Sequence, residues 1–311
     1  MRTETLSLFE LLDMIPDNAT AERWLESKRW PDGQRACPDC GSTNHQVISS
    51  RTPMPYRCRD CRAYFSVRKG TCMQSSKLSH RTWVLAIYLI EQHPKGYSSC
   101  QLAKDLGIPQ KTAWHLAHRI RTAWSQRPAA FAGPVEVDEK YVGGLEKNKH
   151  ADKKLHAGTG GVGKTPVIGM RDRASGKIVA QPIGDTTRDT FHRFVRTHIA
   201  PGATVYTDEH VSYTGLPNHA AIRHGRGEYV RGDVSTNGIE SAWAVLSRMA
   251  MGTYHHLSPK HLHRYIDELA GLNNQRPLSP VARMAAMIRN FEGKRLRYAD
   301  LTAGGPAYPT R

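Results

Sequence analysis

An α/β domain preceded by a small cysteine-stapled module and a helical module is the architecture this sequence of 311 residues predicts. Three observations carry it. Two Cys-x-x-Cys pairs sit in a short, turn-rich stretch over 35–70. Helical periodicity then dominates 80–124, and from Val135 onward strand-like runs alternate with helical ones.

The elements follow in order. Residues 5–30 read as helical, with apolar positions at Leu8, Leu11, Leu12 and Ile15, then Trp24 and Leu25 after a Pro16-Asp17-Asn18 break. The segment Gly41–Arg57 suits a β-hairpin, 80–92 an apolar helix, and 98–124 two more helices. Breaks at Arg127-Pro128 and Gly133-Pro134 end the helical region. Val135–Val142 reads as a strand, and Pro166–Arg171 with Lys177–Ile183 as a hairpin around Ala174-Ser175-Gly176. Thr187–His198 is expected to be a helix capped by Asp185 or Thr186, and Ala203–Asp208 a strand. A fifth strand is expected from 219–223 or 228–230, and helices over Ile239–Met249 and Ser258–Leu272. The implied domains are 1–75, 76–128 and 133–278, with 279–311 as a basic peripheral arm.

Composition narrows the function classes. A hydrophobic content of 39% excludes a disordered chain, and the longest apolar run, Trp83–Ile90, is far short of a bilayer span. With no signal-peptide pattern at the start, a cytoplasmic protein is expected. The net charge of +16 and an isoelectric point near 9.8 point to a polyanionic partner, nucleic acid first. Residues 77–128 alone hold eight Lys and Arg against Glu91 and Asp105.

Cys37-x-x-Cys40 and Cys58-x-x-Cys61, separated by seventeen residues, have the spacing of a zinc ribbon. Four thiolates close a tetrahedral site, so the zinc is structural and leaves no open position for chemistry. Cys72 and Cys100 are read as small buried residues, and His45 as a loop residue rather than a ligand. Residues 98–116 read as a helix-turn-helix, with Ser98 or Ser99 as cap, Leu102, Ala103 and Leu106 facing inward, and Gly107 at the turn. The second helix then offers Gln110, Lys111, His115, His118 and Arg119 to a major groove. A plain helical hairpin with a solvated basic face is the alternative.

Two motifs are decoys. Gly158–Thr165 matches a nucleotide-binding loop letter for letter, but that loop needs a strand before it and a helix after it. Here Lys153–Ala157 is not a buried strand, and Pro166–Met170 reads as a strand, so a basic loop near DNA is the better account. His261 and His263 resemble a two-histidine metal motif, which needs a strand to aim both at one face. Ser258-Pro259 instead announces a helix start, and residues two apart on a helix diverge by about 200°.

The acids are scarce and well placed. Glu136 and Asp138 share a face of the Val135–Val142 strand, Asp208 ends another strand, and Glu240 lies in the first turn of a helix. Their order and their separations of 70 and 32 residues resemble the DDE transposases of ribonuclease-H-like fold. More closely, the chain resembles bacterial insertion-sequence transposases with an N-terminal zinc ribbon. The matching runs are Arg29–Gly33, the two cysteine knuckles, Phe65-Ser66, Gly70-Thr71, Ser98–Arg121, Val137–Gly144, Thr165–Gly169, Tyr206–Asp208, Thr236–Trp243 and Gly252–Tyr265. They span nearly all of residues 5–275, and the last two are highly specific.

The resemblance implies a mixed sheet flanked by helices, with Asp138, Asp208 and Glu240 as catalytic carboxylates. Two Mg²⁺ or Mn²⁺ ions are expected there, Asp138 bridging both and Asp208 and Glu240 each holding one. Glu136, Glu139 and Glu209 are near-site alternatives. Where such helices often carry a basic residue seven positions after the glutamate, this chain has Ser247, with Arg248 next to it. The expected partners are double-stranded DNA, as terminal inverted repeats and target, and further copies of the chain. Arg248, Lys260, His261 and Arg264 are expected on the phosphate backbone. A transposase-derived regulator without catalysis is the alternative function, and a nucleotide hydrolase rests on residues 158–165 alone.

Overall fold

A computed structural model describes residues 5–125, 130–144, 148, 150–154, 161–223, 225 and 227–304. The chain divides into two compact units, one built from the residues up to His93, Tyr97–Trp124 and Arg276–Ala303, the other from Pro94–Gly96 and Ser125–Gln275. No helix among the described residues is long and apolar enough to cross a membrane.

The first unit opens with α1 (Leu8–Met14), whose Ser7 and Glu10 form a capping box. The next helix, α2 (Asn18–Arg29), starts where the Asp17 carboxylate accepts the Thr20 N–H at 2.7 Å. Strands β1 (His45–Val47), β2 (Tyr56–Cys58) and β3 (Tyr64–Phe65) form an antiparallel ribbon in that order. Trp30, Tyr56 and Phe65 pack edge-on beside it. Arg29, its side chain buried, donates to the Val67 and Lys69 carbonyls at 2.8 and 2.9 Å, so the ribbon's exit is tied to the end of α2. Then come α3 (His80–Glu91), α4 (Ser99–Leu106) and α5 (Gln110–Arg121). Ser98 caps α4, and Gly107, at φ +61°, ends it in the left-handed conformation the tight turn requires.

The second unit is a three-layer sandwich. Among its described residues, β4 (Val135–Val142), β5 (Thr165–Asp172), β6 (Ile178–Pro182), β7 (Val205–Thr207) and β8 (His219–Ala221) form one mixed sheet in the order β6-β5-β4-β7-β8. The first three pair antiparallel, while β4–β7 and β7–β8 are parallel. Helix α6 (Arg188–His198) covers one face through Phe191, Phe194 and Val195, which pack on Val135, Val137, Ile168 and Met170. Helices α7 (Asn237–Met249) and α8 (Leu262–Asn274) cover the other, placing Ile239, Trp243 and Ile266 on Val167, Ile178 and Ala180. Successive strand residues thus feed opposite cores, as a sheet buried on both sides demands. This is the ribonuclease-H-like arrangement expected of the chain.

Several local expectations change. Thr187 is the N-cap residue of α6, with Asp185 accepting its N–H at 3.0 Å. Residues 228–230 form no strand, and the fifth strand is β8 alone. The helix start read at Ser258-Pro259 holds: a short 3₁₀ turn, Pro259–His261, leads into α8, so His261 and His263 do not share a strand face.

The largest correction concerns residues 279–303. They form α9 (Pro280–Asn290) and α10 (Tyr298–Thr302), which belong to the first unit. Met284, Met287, Ile288 and Phe291 are buried, Phe291 packing on Trp83 of α3, and Glu292 takes both free arms of Arg29 at 2.9 Å. A basic surface masks an apolar helical stripe, so this segment is core and not a peripheral arm. Cys100 is exposed, against the expectation of burial, while Cys72 is fully buried.

Candidate metal centre

Asp138 is held in the sheet by β5 and lies just past the last β4–β7 pair. It faces Gly169 across the antiparallel β4–β5 pair, and β7 runs parallel to β4 on its other flank. β7 ends at Thr207, so Asp208 is the first residue free of the ladder, and its Oδ1 accepts the His210 N–H at 3.0 Å. Glu240 approaches from α7. The buried Thr236 hydroxyl donates to Glu240 Oε1 at 2.6 Å and so orients that carboxylate.

What fixes α7 against the sheet is legible atom by atom. Glu136, two residues before Asp138 and on the same strand face, accepts the Ile239 N–H at 2.9 Å and pairs with Arg173 at 2.8 Å. A strand carboxylate therefore caps the first turn of the helix that carries Glu240. Gly238 permits this: a Cβ there would sit 2.5 Å from Glu136 Oε2. Gly169 does the same for the next turn, since its Cβ would stand 2.5 Å from the Trp243 ring. Glu136 is thus a positioning residue and not a near-site alternative. Glu209 is exposed and accepts the Gly225 N–H at 2.9 Å.

The structure brings Asp138, Glu139 and Asp208 together, with one carboxylate oxygen of each within 4.8 Å of the others. Glu240 stands outside that trio but lines the same cleft, of about 590 Å³, with Asp138, Glu139, Lys140, Ser247 and Arg248. Burial first, then the Glu139 and Asp208 charges and, more weakly, Glu240, push Asp138 up to about 8. Glu139 is also raised, by burial and by Asp208, and its Oε2 accepts from the buried Tyr213 hydroxyl at 2.9 Å. Such a donor set fits a hard divalent cation, because it offers only carboxylate oxygens and their mutual repulsion is relieved by positive charge. Oxygens on one Mg²⁺ lie at most about 4.2 Å apart, given bonds of about 2.1 Å, so small side-chain rotations close the trio on an ion.

Cys37, Cys40, Cys58 and Cys61 form the second cluster, their sulfurs all within 4.8 Å and two pairs at 3.6 Å. Four thiolates 2.3 Å from one zinc lie about 3.8 Å apart, so this cluster fits a closed structural site. His45 lies on β1, its Nδ1 2.8 Å from the Thr43 carbonyl, outside that ligand set.

Residues 130–270 match the ISXO2-like transposase domain, and residues 16–64 match the transposase zinc-ribbon domain. An uncharacterized protein in transposable element ISH50 of Halobacterium salinarum is 30% identical over 262 residues, covering 79% of this chain and 87% of that protein. The chain belongs to the ISXO2-like transposase family. The carboxylate cluster lies within the first of these matched domains and the cysteine cluster within the second.

The groove-facing surface expected of this transposase is only partly available. Gln110 and Lys111 are exposed at the start of α5, Lys111 lying over the Tyr298 ring. Arg119 is not: it is 7% exposed, donates to the Cys72 and Gln74 carbonyls and stacks on Trp83. His118 is fully buried, and His115 is half-buried with Nε2 3.1 Å from the Leu296 carbonyl. Two turns into α5 the helix has entered the core, which removes Arg119 and His118 from any groove. Arg248 is exposed on the cleft, while Lys260, His261 and Arg264 are half-buried around the start of α8. Gly158–Gly160 lie outside the described residues, and Thr165 begins β5, a strand where a nucleotide-binding loop needs a helix.

Sequence reasoning did not single out Lys140, Thr236 or Tyr213. Period-two alternation from Asp138 was the available signal for Lys140. For Tyr213 no local signal exists, because its role depends on how the chain after β7 folds back.

Proposed function

We propose that this transposase binds duplex DNA at the ends of its element and carries out strand cleavage and strand transfer at Asp138, Asp208 and Glu240. The observation that supports this most is the convergence of Asp138 and Asp208 where β4 outruns β7, with Glu240 across the same cleft. Asp138 would be shared between two Mg²⁺ or Mn²⁺ ions, Asp208 and Glu240 each serving one. When bound, such ions stabilise both the attacking and the leaving oxygen of an in-line displacement at phosphorus.

The chain's own residues supply placement. Thr236 and Glu136 hold Glu240 and its helix in register with the sheet, so the carboxylates need little reorganisation when substrate arrives. Lys140 and Arg248 line the cleft and suit the non-bridging phosphate oxygens, with Lys260, His261 and Arg264 extending the basic surface. In the first step water bonds to phosphorus and the P–O3′ bond breaks, leaving a 3′-hydroxyl and a 5′-phosphate. In the second, that 3′-oxygen attacks a target phosphodiester and a target 3′-oxygen departs. Each step makes and breaks one P–O bond, so no covalent protein–DNA link is needed. The ribbon and the Gln110–Lys111 end of α5 would read the terminal repeats, and joining two ends calls for at least two copies of the chain. The protein then works in the cytoplasm, on the nucleoid.

Ser247, in place of a basic residue, favours a second reading: a DNA-binding regulator that has lost catalysis. Purified protein, Mg²⁺ or Mn²⁺ and DNA carrying both ends of the element distinguish the two. Cutting at the repeat boundary, lost in Asp208→Asn while DNA binding persists, is the expected result. Tight binding with no cutting under either metal assigns the chain to the regulators.

A further inference from the structure

Asp138 and Glu139 are neighbours on a strand, so their side chains leave on opposite faces of the sheet. Asp138 faces α7, in a cleft lined with Glu240, Ser247 and Arg248 that Glu139 also borders. Glu139 follows Val135 and Val137 toward the α6 side and reaches Tyr213, whose ring packs 4.8 Å from Phe191 of α6. β4 is paired with β7 only at Val135–Val205 and Glu136–Tyr206, so Asp208 falls beside the strand where both carboxylates turn outward. Asp208 is consequently bracketed from both faces, and the three oxygens converge within 4.8 Å while Glu240 does not join them.

We propose that Glu139, seated by Tyr213, is a third protein ligand to the cation held between Asp138 and Asp208, so that the two cations bind with unequal affinity. This rests on the metal-centre reading above and deepens it. Tyr213 is fully buried, so its hydroxyl is a fixed donor. A carboxylate oxygen has two lone pairs, and accepting from Tyr213 leaves Glu139 able to coordinate as well. The Asp138–Asp208–Glu139 site thus has three anionic ligands, against two for the Asp138–Glu240 site. It would hold its cation more tightly, and the second site would bind weakly until DNA phosphate oxygens complete its shell.

A purely structural Glu139 would serve only to satisfy the Tyr213 hydroxyl, and glutamine does that equally well through its amide oxygen. Glu139→Gln therefore separates the two roles. The measurement is Mn²⁺ titration of the zinc-loaded, full-length protein, with free Mn²⁺ followed by electron paramagnetic resonance and thermal melting run alongside. Wild type is expected to show a tighter and a weaker class of site. Glu139→Gln should weaken the tighter class by about tenfold or more with little change in melting, and Tyr213→Phe should weaken it less. Glu240→Gln should leave the tighter class intact and remove the weaker. Wild-type Mn²⁺ binding by Glu139→Gln, alongside weakened binding by Asp208→Asn, would overturn the assignment of Glu139 alone. Unchanged binding by both Asp138→Asn and Asp208→Asn would sink the metal-centre reading, and this proposal with it.

Discussion

Lys111 and Arg119 lie on one helix about two turns apart and meet different surroundings. Lys111 is exposed, whereas Arg119 places its guanidinium on two backbone carbonyls and the Trp83 ring. Truncating Arg119 to Ala leaves the Cys72 and Gln74 carbonyls without their donor, which costs roughly 2–4 kcal/mol of stability. Lys111→Ala should change stability by no more than about 0.5 kcal/mol and should weaken DNA binding. Its salt dependence should become shallower by about one counterion. Urea unfolding and binding titrations at several salt concentrations check both. Glu91 extends the point to protons. It is 1% exposed, its Oε2 is 3.5 Å from Arg283, and burial pushes it up to about 7 even though Arg283 opposes the shift. The folded chain holds that proton more tightly than the unfolded chain, whose carboxyl titrates near 4.5. The contribution is therefore complete below pH 4.5 and is lost as pH rises through 7, by about 3 kcal/mol. Glu91→Gln should abolish that component, so the stability gap between wild type and variant must move against the wild type from pH 5 to pH 8.

At the scale of elements, the site depends on how closely α7 rides on the sheet. Gly169 sits opposite Asp138 and lets the Trp243 ring approach the backbone of β5. Gly169→Ala should cost about 1–3 kcal/mol by overpacking and should also lower cleavage, because the helix that shifts carries Glu240. An alanine variant that melts and nicks like wild type would show that the helix can settle elsewhere. Elements were legible wherever the signal was local. Ser98 caps its helix as its place before the apolar stripe promised, and the Val135–Val142 run forms β4 as read. The ribbon was readable because four thiolates at that spacing leave little else to build. Legibility ended where the outcome depended on distant chain. Alternation alone separates Glu139 from Asp138, and only the early end of β7 lets both reach Asp208. Arg119 has the composition of a groove-reading residue, and what buries it is a loop more than forty residues earlier. Residues 279–303 carry enough charge to suggest a solvated arm, although Met284, Met287, Ile288 and Phe291 lie at helical spacing.

At the scale of the whole molecule, the chain leaves its first unit, builds the sheet and its three helices, and returns to complete the unit it began. The returning segment buries Met284, Met287, Ile288, Phe291, Leu296 and Leu301. At about 1.5–3 kcal/mol for each large apolar side chain, this burial is worth roughly as much as the net stability of an ordinary domain. Arg29 adds to the dependence: without Glu292, a guanidinium with its side chain 2% exposed loses its carboxylate partner while it still holds the carbonyls that close the ribbon. A chain stopped after Gln275 should therefore lose the ribbon and helices α1 to α5 as a folded unit and keep the sheet with α6 to α8. Limited proteolysis read by mass spectrometry should find cuts throughout 5–124 in the shortened chain and protection over most of 161–275. Equal protection of 5–124 in both chains would mean that the first unit closes its core without the returning helices. Loss of protection over 161–275 as well would mean that the second unit does not stand without the first. The expected pattern makes the residues after Gln275 a condition for the folded zinc ribbon while leaving the carboxylate centre in place.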